Sequence, residues 1–378
     1  LNAPTIEFGT ADFPVTRADI AAALKAQREY TLALYADLPP EFWEPSQFPY
    51  LEIINPPLWE TLHIGWFAEF FAVRWREADK TGALNPSIVA WADGLLDSRS
   101  IPHRDRWERR YPSFDEGFDY LNAALRRVLM ALESCPDEQL DRMRLAIAHE
   151  DMHGEALAMT LKVLGLPLPD VVAARRPLSG PRAPLSFAGG EHALAASLRA
   201  FRFDNEMPPK MVAVASFEID AQPVSSEDFR LFLDSPGYSQ RANWSEAGWQ
   251  WKALGDTKSE LISDHAAMHV SQHEAAAYCR WAGRRLPTEA EWEFAAAHSA
   301  SFRASCGHVW EWTGSAFAPF PGFQRGAYDD YSFPWFYDHI VLRGGSFATQ
   351  PRMRYAQYRN FFKPHRNDVF AGFRTCAA

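Results

Sequence analysis

Along roughly the first 165 residues, apolar side chains recur three and four apart, the spacing of helix faces rather than strands. Thr16 with Asp19 reads as an N-terminal cap, and Ile20, Leu24, Leu32 and Leu34 follow as an apolar stripe. A second helix is predicted after Asn55-Pro56-Pro57, because proline suits a first turn; it carries Leu58, Leu62, Trp66, Phe67 and Phe70. Ser113 with Glu116 spells a capping box that opens a third, with Phe118, Leu121, Leu125, Val128 and Leu132 turned inward. The fourth runs from Pro136 to about Leu164. Four amphipathic helices, with one long connection between the second and third, predict a bundle.

The pattern changes over 166–190, where Pro167, Pro169, Pro177, Pro181 and Pro184 alternate with Gly180, Gly189 and Gly190. Such a stretch reads as a wrapping linker. After it come short strands, turns and aromatic loops, with helices around 271–281 and 289–297. The expected organisation is therefore a helical bundle over 1–168, a Pro/Gly-rich linker over 169–192 and an irregular α+β domain over 193–378. No internal repeat is apparent.

Composition adds exclusions. A chain of 378 residues with 47% hydrophobic content has room for two buried cores. A net charge of -10, without a basic stripe, argues against nucleic acid or an anionic membrane surface as partner. No apolar run approaches membrane-spanning length and no signal peptide is visible. Cys135, Cys279, Cys306 and Cys376 are scattered, which argues against disulfides or a cysteine zinc site and fits a reducing cytoplasm.

The candidate chemistry lies in the fourth helix. His149 and His153 stand four apart, so one helix face presents both imidazoles, and the neighbouring apolar residues turn that face inward. His63, on the second helix, is a third candidate ligand. Two readings compete: ordinary core histidines bonded to backbone or carboxylate, and a metal centre in the bundle core. Buried imidazoles at this spacing favour a metal, either zinc with one water or iron(II) with several open positions. The run His149-Glu150-Asp151-Met152-His153 also spells the zinc-protease signature, with Glu150 as general base, but no downstream third ligand follows.

Further along, Gly283-Arg284-Arg285-Leu286-Pro287-Thr288-Glu289-Ala290-Glu291-Trp292, Gly307-His308-Val309-Trp310-Glu311-Trp312, Leu342-Arg343-Gly344-Gly345-Ser346 and Tyr358-Arg359-Asn360-Phe361 resemble the formylglycine-generating-enzyme (sulfatase-modifying-factor) domain, a C-type-lectin-like fold. The cysteine pair of true formylglycine generators is missing between Phe347 and Asn360, so that copper-thiolate activity is not expected. Together with a DinB-like bundle bearing Leu58-Trp59-Glu60-Thr61-Leu62-His63, nearly the whole chain is similar to the ergothioneine sulfoxide synthase (EgtB) family. The resemblance implies iron(II) held by His63, His149 and His153 and bond formation at the imidazole of hercynine with dioxygen. It places hercynine contacts at Asn360 and Phe361 in a cleft between bundle and C-terminal domain. A trimethylammonium group also calls for aromatic faces, for which Trp310, Trp312, Phe317, Phe320, Phe361 and Phe362 are candidates.

The departures from that family concern the thiol donor. Asp97-Ser98-Arg99-Ser100-Ile101-Pro102-His103-Arg104-Asp105-Arg106-Trp107 replaces an arginine-rich segment, and Phe362 stands at an acidic position while Arg366 persists. This segment resembles that of selenoneine synthases (SenA-type), which implies a selenosugar donor contacted by Ser98, Ser100, His103 and Arg106 rather than gamma-glutamylcysteine, cysteine or another thiol. The family's proton-donating tyrosine has Tyr328 and Tyr331 as substitutes. A non-catalytic binding module is the competing class, and the intact set of histidines argues against it.

Overall fold

The computed structural model describes residues 8–76, 79–83, 85–255 and 259–378. It divides into two compact units: Phe13–Val172, and Ala173–Ala378 together with the described residues before Phe13.

The first unit is built on α1 (Arg17–Leu34), α2 (Pro57–Glu69), α3 (Ala92–Leu96), α4 (Phe114–Ser134) and α5 (Leu140–Val163), with a short ladder between β1 (Trp75–Arg76) and β2 (Asp79–Ala83). The caps are as the sequence indicates. Thr16 accepts from the backbone of Asp19, and Ser113 and Glu116 close a reciprocal box on α4. α2 differs from expectation. It is buried along its whole length, all thirteen residues, instead of presenting one apolar stripe, because it packs against both α4 and α5. Close approach to α4 depends on two glycines. A Cβ at Gly65 would meet Leu121 Cδ1 at 2.9 Å, and one at Gly117 would meet Leu62 Cδ2 at 3.1 Å. Pro57 opens α2, and a π-turn over Phe70–Arg74 ends it. The fourth helix starts at Leu140, after a 3-10 turn over Asp137–Gln139.

The second unit is mixed. The stretch expected to be linker contributes β3 (Leu185–Phe187) and the start of β4 (Gly190–Leu194), because their apolar positions pair with strands further on. β4 pairs with β5 (Lys210–Val214), while β3 pairs with β6 (Phe217–Ile219) in a four-stranded sheet that includes β7 (Arg284–Arg285) and β12 (Cys376–Ala377). The other sheet has the order β10 (Asn360–Phe362), β9 (Ile340–Arg343), β8 (Trp310–Ala316), β11 (Ala371–Phe373), with β8 and β11 parallel. Among its helices are α6 (Ser226–Asp234), α7 (Glu246–Ala253), α8 (Gln272–Trp281) and α9 (Glu289–His298).

The sequence motifs of this unit turn out to supply arginine–glutamate pairs, most of them buried. Thr288 and Glu291 form a capping box on α9, and Arg285 grips Glu291. Glu289 takes both Arg343 and Arg359, while Glu311 takes Arg374 and the indole of Trp292. Arg374 and Glu311 are both wholly shielded from water.

Two outcomes follow from this packing. Arg374→Met leaves Glu311 charged without its cation and should cost about 3–5 kcal/mol in a denaturant titration. Gly65→Val forces a branched side chain into the α2–α4 contact and should cost about 1–3 kcal/mol by the same measurement.

Candidate metal centre

α2 supplies His63 and α5 supplies His149 and His153, and their ligand atoms all lie within 4.8 Å of one another. His63 and His149 are buried, and His153 is partly so. The Nδ1 of His63 is 2.8 Å from the carbonyl oxygen of Leu96, which can only accept, so Nδ1 carries the proton and Nε2 the lone pair. The Nδ1 of His153 is 2.6 Å from Glu60 Oε1, which fixes the same tautomer. Burial pushes His63 and His149 well below the ordinary imidazole value, and the neighbouring imidazoles push in the same direction. Both are neutral at pH 7, the state in which imidazole binds a metal. The ring of His149 stacks on Phe67 with centroids 3.4 Å apart.

This donor set fits a divalent first-row ion: three imidazoles converge from two helices, and a carboxylate and a carbonyl orient two of them. It does not fit the protease signature. Both oxygens of Glu150 are held by Arg28, at 2.9 and 3.2 Å, in an ion pair closed to solvent, so Glu150 is unsuited to act as a general base. The carboxylate that matters is Glu60, which sequence reasoning passed over. A lone acid in the otherwise apolar middle of α2, three residues before His63, was the available signal, because a buried charge needs a partner.

The residues expected to meet the donor substrate are largely engaged with their own chain. Ser100 Oγ donates to the carbonyl of Asp97, and the Nε2 of His103 lies 2.8 Å from that of Ile54. Arg106 donates to Asn55 Oδ1 at 2.6 Å and lies over Trp59, 3.9 Å from the ring centroid. Ser98 is half-buried beside them in sequence.

The remaining candidates lie in the second unit. Asn360, Phe361 and Phe362 form β10, all half-buried. Phe361 stacks on Phe317 at 4.0 Å, with Tyr331 at 5.4 Å and His339 at 5.7 Å. Arg366 is paired with Asp368, 5.2 Å over the ring of Phe362. Tyr328 stacks on Tyr331, whose hydroxyl is 3.0 Å from that of Tyr358. Trp310 is 1% exposed and packs edge-on to Tyr358, so it is part of the core under this group. Trp312 and Phe320 are likewise buried. Beneath lies Glu206, wholly buried and bonded by the hydroxyl of Tyr355 at 2.9 Å. Burial raises its pKa to about 8.

Comparison with known proteins gives this arrangement a context. Residues 23–162 match the DinB superfamily, and 172–305 with 301–378 match the sulfatase-modifying factor enzyme 1-like domain. Over 25% of the chain it is 34% identical to the mouse formylglycine-generating enzyme, covering 34% of that protein. Two bacterial relatives extend much further. A hercynine oxygenase of Mycobacterium tuberculosis is 30% identical across 86% of this chain and 91% of its own length. One from Mycolicibacterium smegmatis is 30% identical across 95% and 99%. The class is that of two-unit enzymes pairing a DinB-type bundle with a sulfatase-modifying-factor-type domain. Within it, the chain belongs to the hercynine oxygenase family, whose members are oxidoreductase-type enzymes.

Glu206 yields a stability prediction. Its folded-state pKa lies above the ordinary carboxylate value, so the folded protein holds the proton more tightly than the unfolded chain does. The stabilisation is complete below about pH 4.5 and is lost as pH rises through about 8. Glu206→Gln should flatten that decline, read as Tm against pH from 5 to 9.

Proposed function

We propose that the protein is an iron(II)-dependent, dioxygen-consuming sulfoxide synthase that joins the sulfur of a small thiol to C2 of hercynine's imidazole. One observation carries the reading: three imidazoles converge in the core of a bundle, in a chain related along most of its length to hercynine oxygenases. The overall change balances as thiol, hercynine C–H and dioxygen giving a C–S(=O) linkage and water. Bound iron(II) would supply the electron chemistry with dioxygen that zinc, which has no redox chemistry, does not.

The chain's own residues have separate tasks. His63, His149 and His153 would hold the ion, with Glu60 and Leu96 keeping two of the rings in the required tautomer. Asn360 offers an amide and Phe361 a ring face for hercynine's polar end and trimethylammonium group, the latter contact worth about 0.5–2 kcal/mol. Tyr331 is the candidate proton holder, with Tyr328 stacked on it. Phe362 lies two residues after Asn360 and Arg366 six, the latter held by Asp368. A thiol donor is favoured over a selenosugar because His103 and Arg106, the residues proposed to read sugar hydroxyls, are occupied by Ile54, Asn55 and Trp59.

The test is an aerobic assay of iron(II)-loaded protein with hercynine and equal amounts of gamma-glutamylcysteine, cysteine, a thiosugar and a selenosugar, read by mass spectrometry. A hercynine sulfoxide, absent without dioxygen and absent with zinc, is expected. Dominant hercynine–selenium product would replace sulfur by selenium, and turnover without dioxygen would overturn the reading altogether. Tyr331→Phe should lower kcat by about 100-fold if the hydroxyl moves the proton. Unchanged kcat and product ratio would remove it from the mechanism.

A further inference from the structure

The three histidines are not equivalent. His153 is backed by a carboxylate: Glu60 is 1% exposed, and its Oε1 lies 2.6 Å from Nδ1. His63 is backed only by a neutral carbonyl, that of Leu96. Its ring lies against Trp59 at 4.6 Å and 10°, and near Trp66 at 5.7 Å and 23°. These three residues occupy one face of α2 at i, i+4 and i+7. Each indole carries a guanidinium. Arg106 is 3.9 Å from the centroid of Trp59 and held by Asn55; Arg99 is 5.8 Å from that of Trp66 and paired with Asp97. The indole N–H of Trp59 is itself tied to the carbonyl of Leu95, beside the Leu96 carbonyl that holds His63. One ligand thus faces a buried negative charge, and another faces positive charge across a tryptophan ring.

We propose that this inequality sets the strength of the metal site: Glu60 strengthens His153 as a donor, and Arg106, acting through Trp59, weakens His63. Both are positioning residues. A carboxylate hydrogen-bonded to the far nitrogen of a ligating imidazole pushes electron density toward the metal-binding nitrogen. A guanidinium near a divalent ion, with an apolar ring rather than water between, raises the electrostatic cost of placing that ion. Arg106 is then a part of the metal site's surroundings and not a contact for substrate. The inference rests on the three-histidine reading.

The opposite signs make the test specific. Affinity for cobalt(II) is measured at fixed pH by chelator competition, with the visible absorption of the bound ion and Tm recorded for each protein. Glu60→Gln, which keeps the shape and removes the charge, should weaken binding by about 10–100-fold. Arg106→Gln should tighten it, by about 3–10-fold. Arg104→Gln removes a charge from the same turn at an exposed position and should change nothing. Tighter binding is not an outcome of a damaged fold, so the Arg106 arm stands even if Glu60→Gln lowers Tm. Weaker binding in Arg106→Gln, or equal shifts from Arg106→Gln and Arg104→Gln, overturns the inference. A parent protein that takes up no cobalt(II) would instead refute the metal reading beneath it.

Discussion

A helix with no side facing water must look to its neighbours for partners to its polar groups, and α2 is such a helix. Glu60 and Glu69, His63, Trp59 and Trp66 all sit on it, and each determines what lies opposite. Glu60 calls for His153 on α5; Glu69 takes Tyr120 and Arg127 on α4. Trp59 and His63 consume the carbonyls of Leu95 and Leu96, and Trp66 reaches Asp93. Since a slip of one residue would orphan several groups together, α2 fixes the register of α3, α4 and α5. The histidines converge as a by-product of that requirement.

The second unit solves the same problem with arginine. Arg343, Arg359 and Arg374 are each shielded from solvent, and each is matched to a glutamate from α9 or β8. The planar guanidinium suits this work, since its fork satisfies both oxygens of a carboxylate and leaves N–H groups for backbone carbonyls. Arg359 shows it, reaching Glu289 and the carbonyls of Asn205 and Ala318. The motifs that carried the family resemblance are here the scaffold, and β10, with Asn360 and Phe361, pairs with β9, which bears Arg343.

How much of this was legible beforehand depended on range. Local signals read well: the box at Ser113 is set by contacts within four residues, the helices near 271 and 289 by their own sequence pattern, and the His149–His153 pair by one helical turn. The order of a helical bundle followed by a sulfatase-modifying-factor-type domain was also readable, from periodicity and from motif resemblance. Long-range pairings were not. Nothing near Glu60 names His153, and nothing near Glu150 names Arg28, 122 residues away. The serines and basic residues of 98–106 looked free for a ligand because a sequence does not show that Ile54 and Asn55 return to meet His103 and Arg106.

The path of the chain carries a last consequence. Phe8 packs on Trp292, and the N–H of Gly9 bonds to the carbonyl of Arg354, so the residues before the bundle are components of the unit that follows it. The bundle is in effect a long insertion in the second unit. A fragment beginning at Ala173 would lack the Phe8 ring and leave part of the Trp292 core uncovered. Dividing the protein at the proline-rich stretch therefore does not yield two natural halves; replacing Phe13–Val172 with a short bridge is the cut that respects how the chain is built.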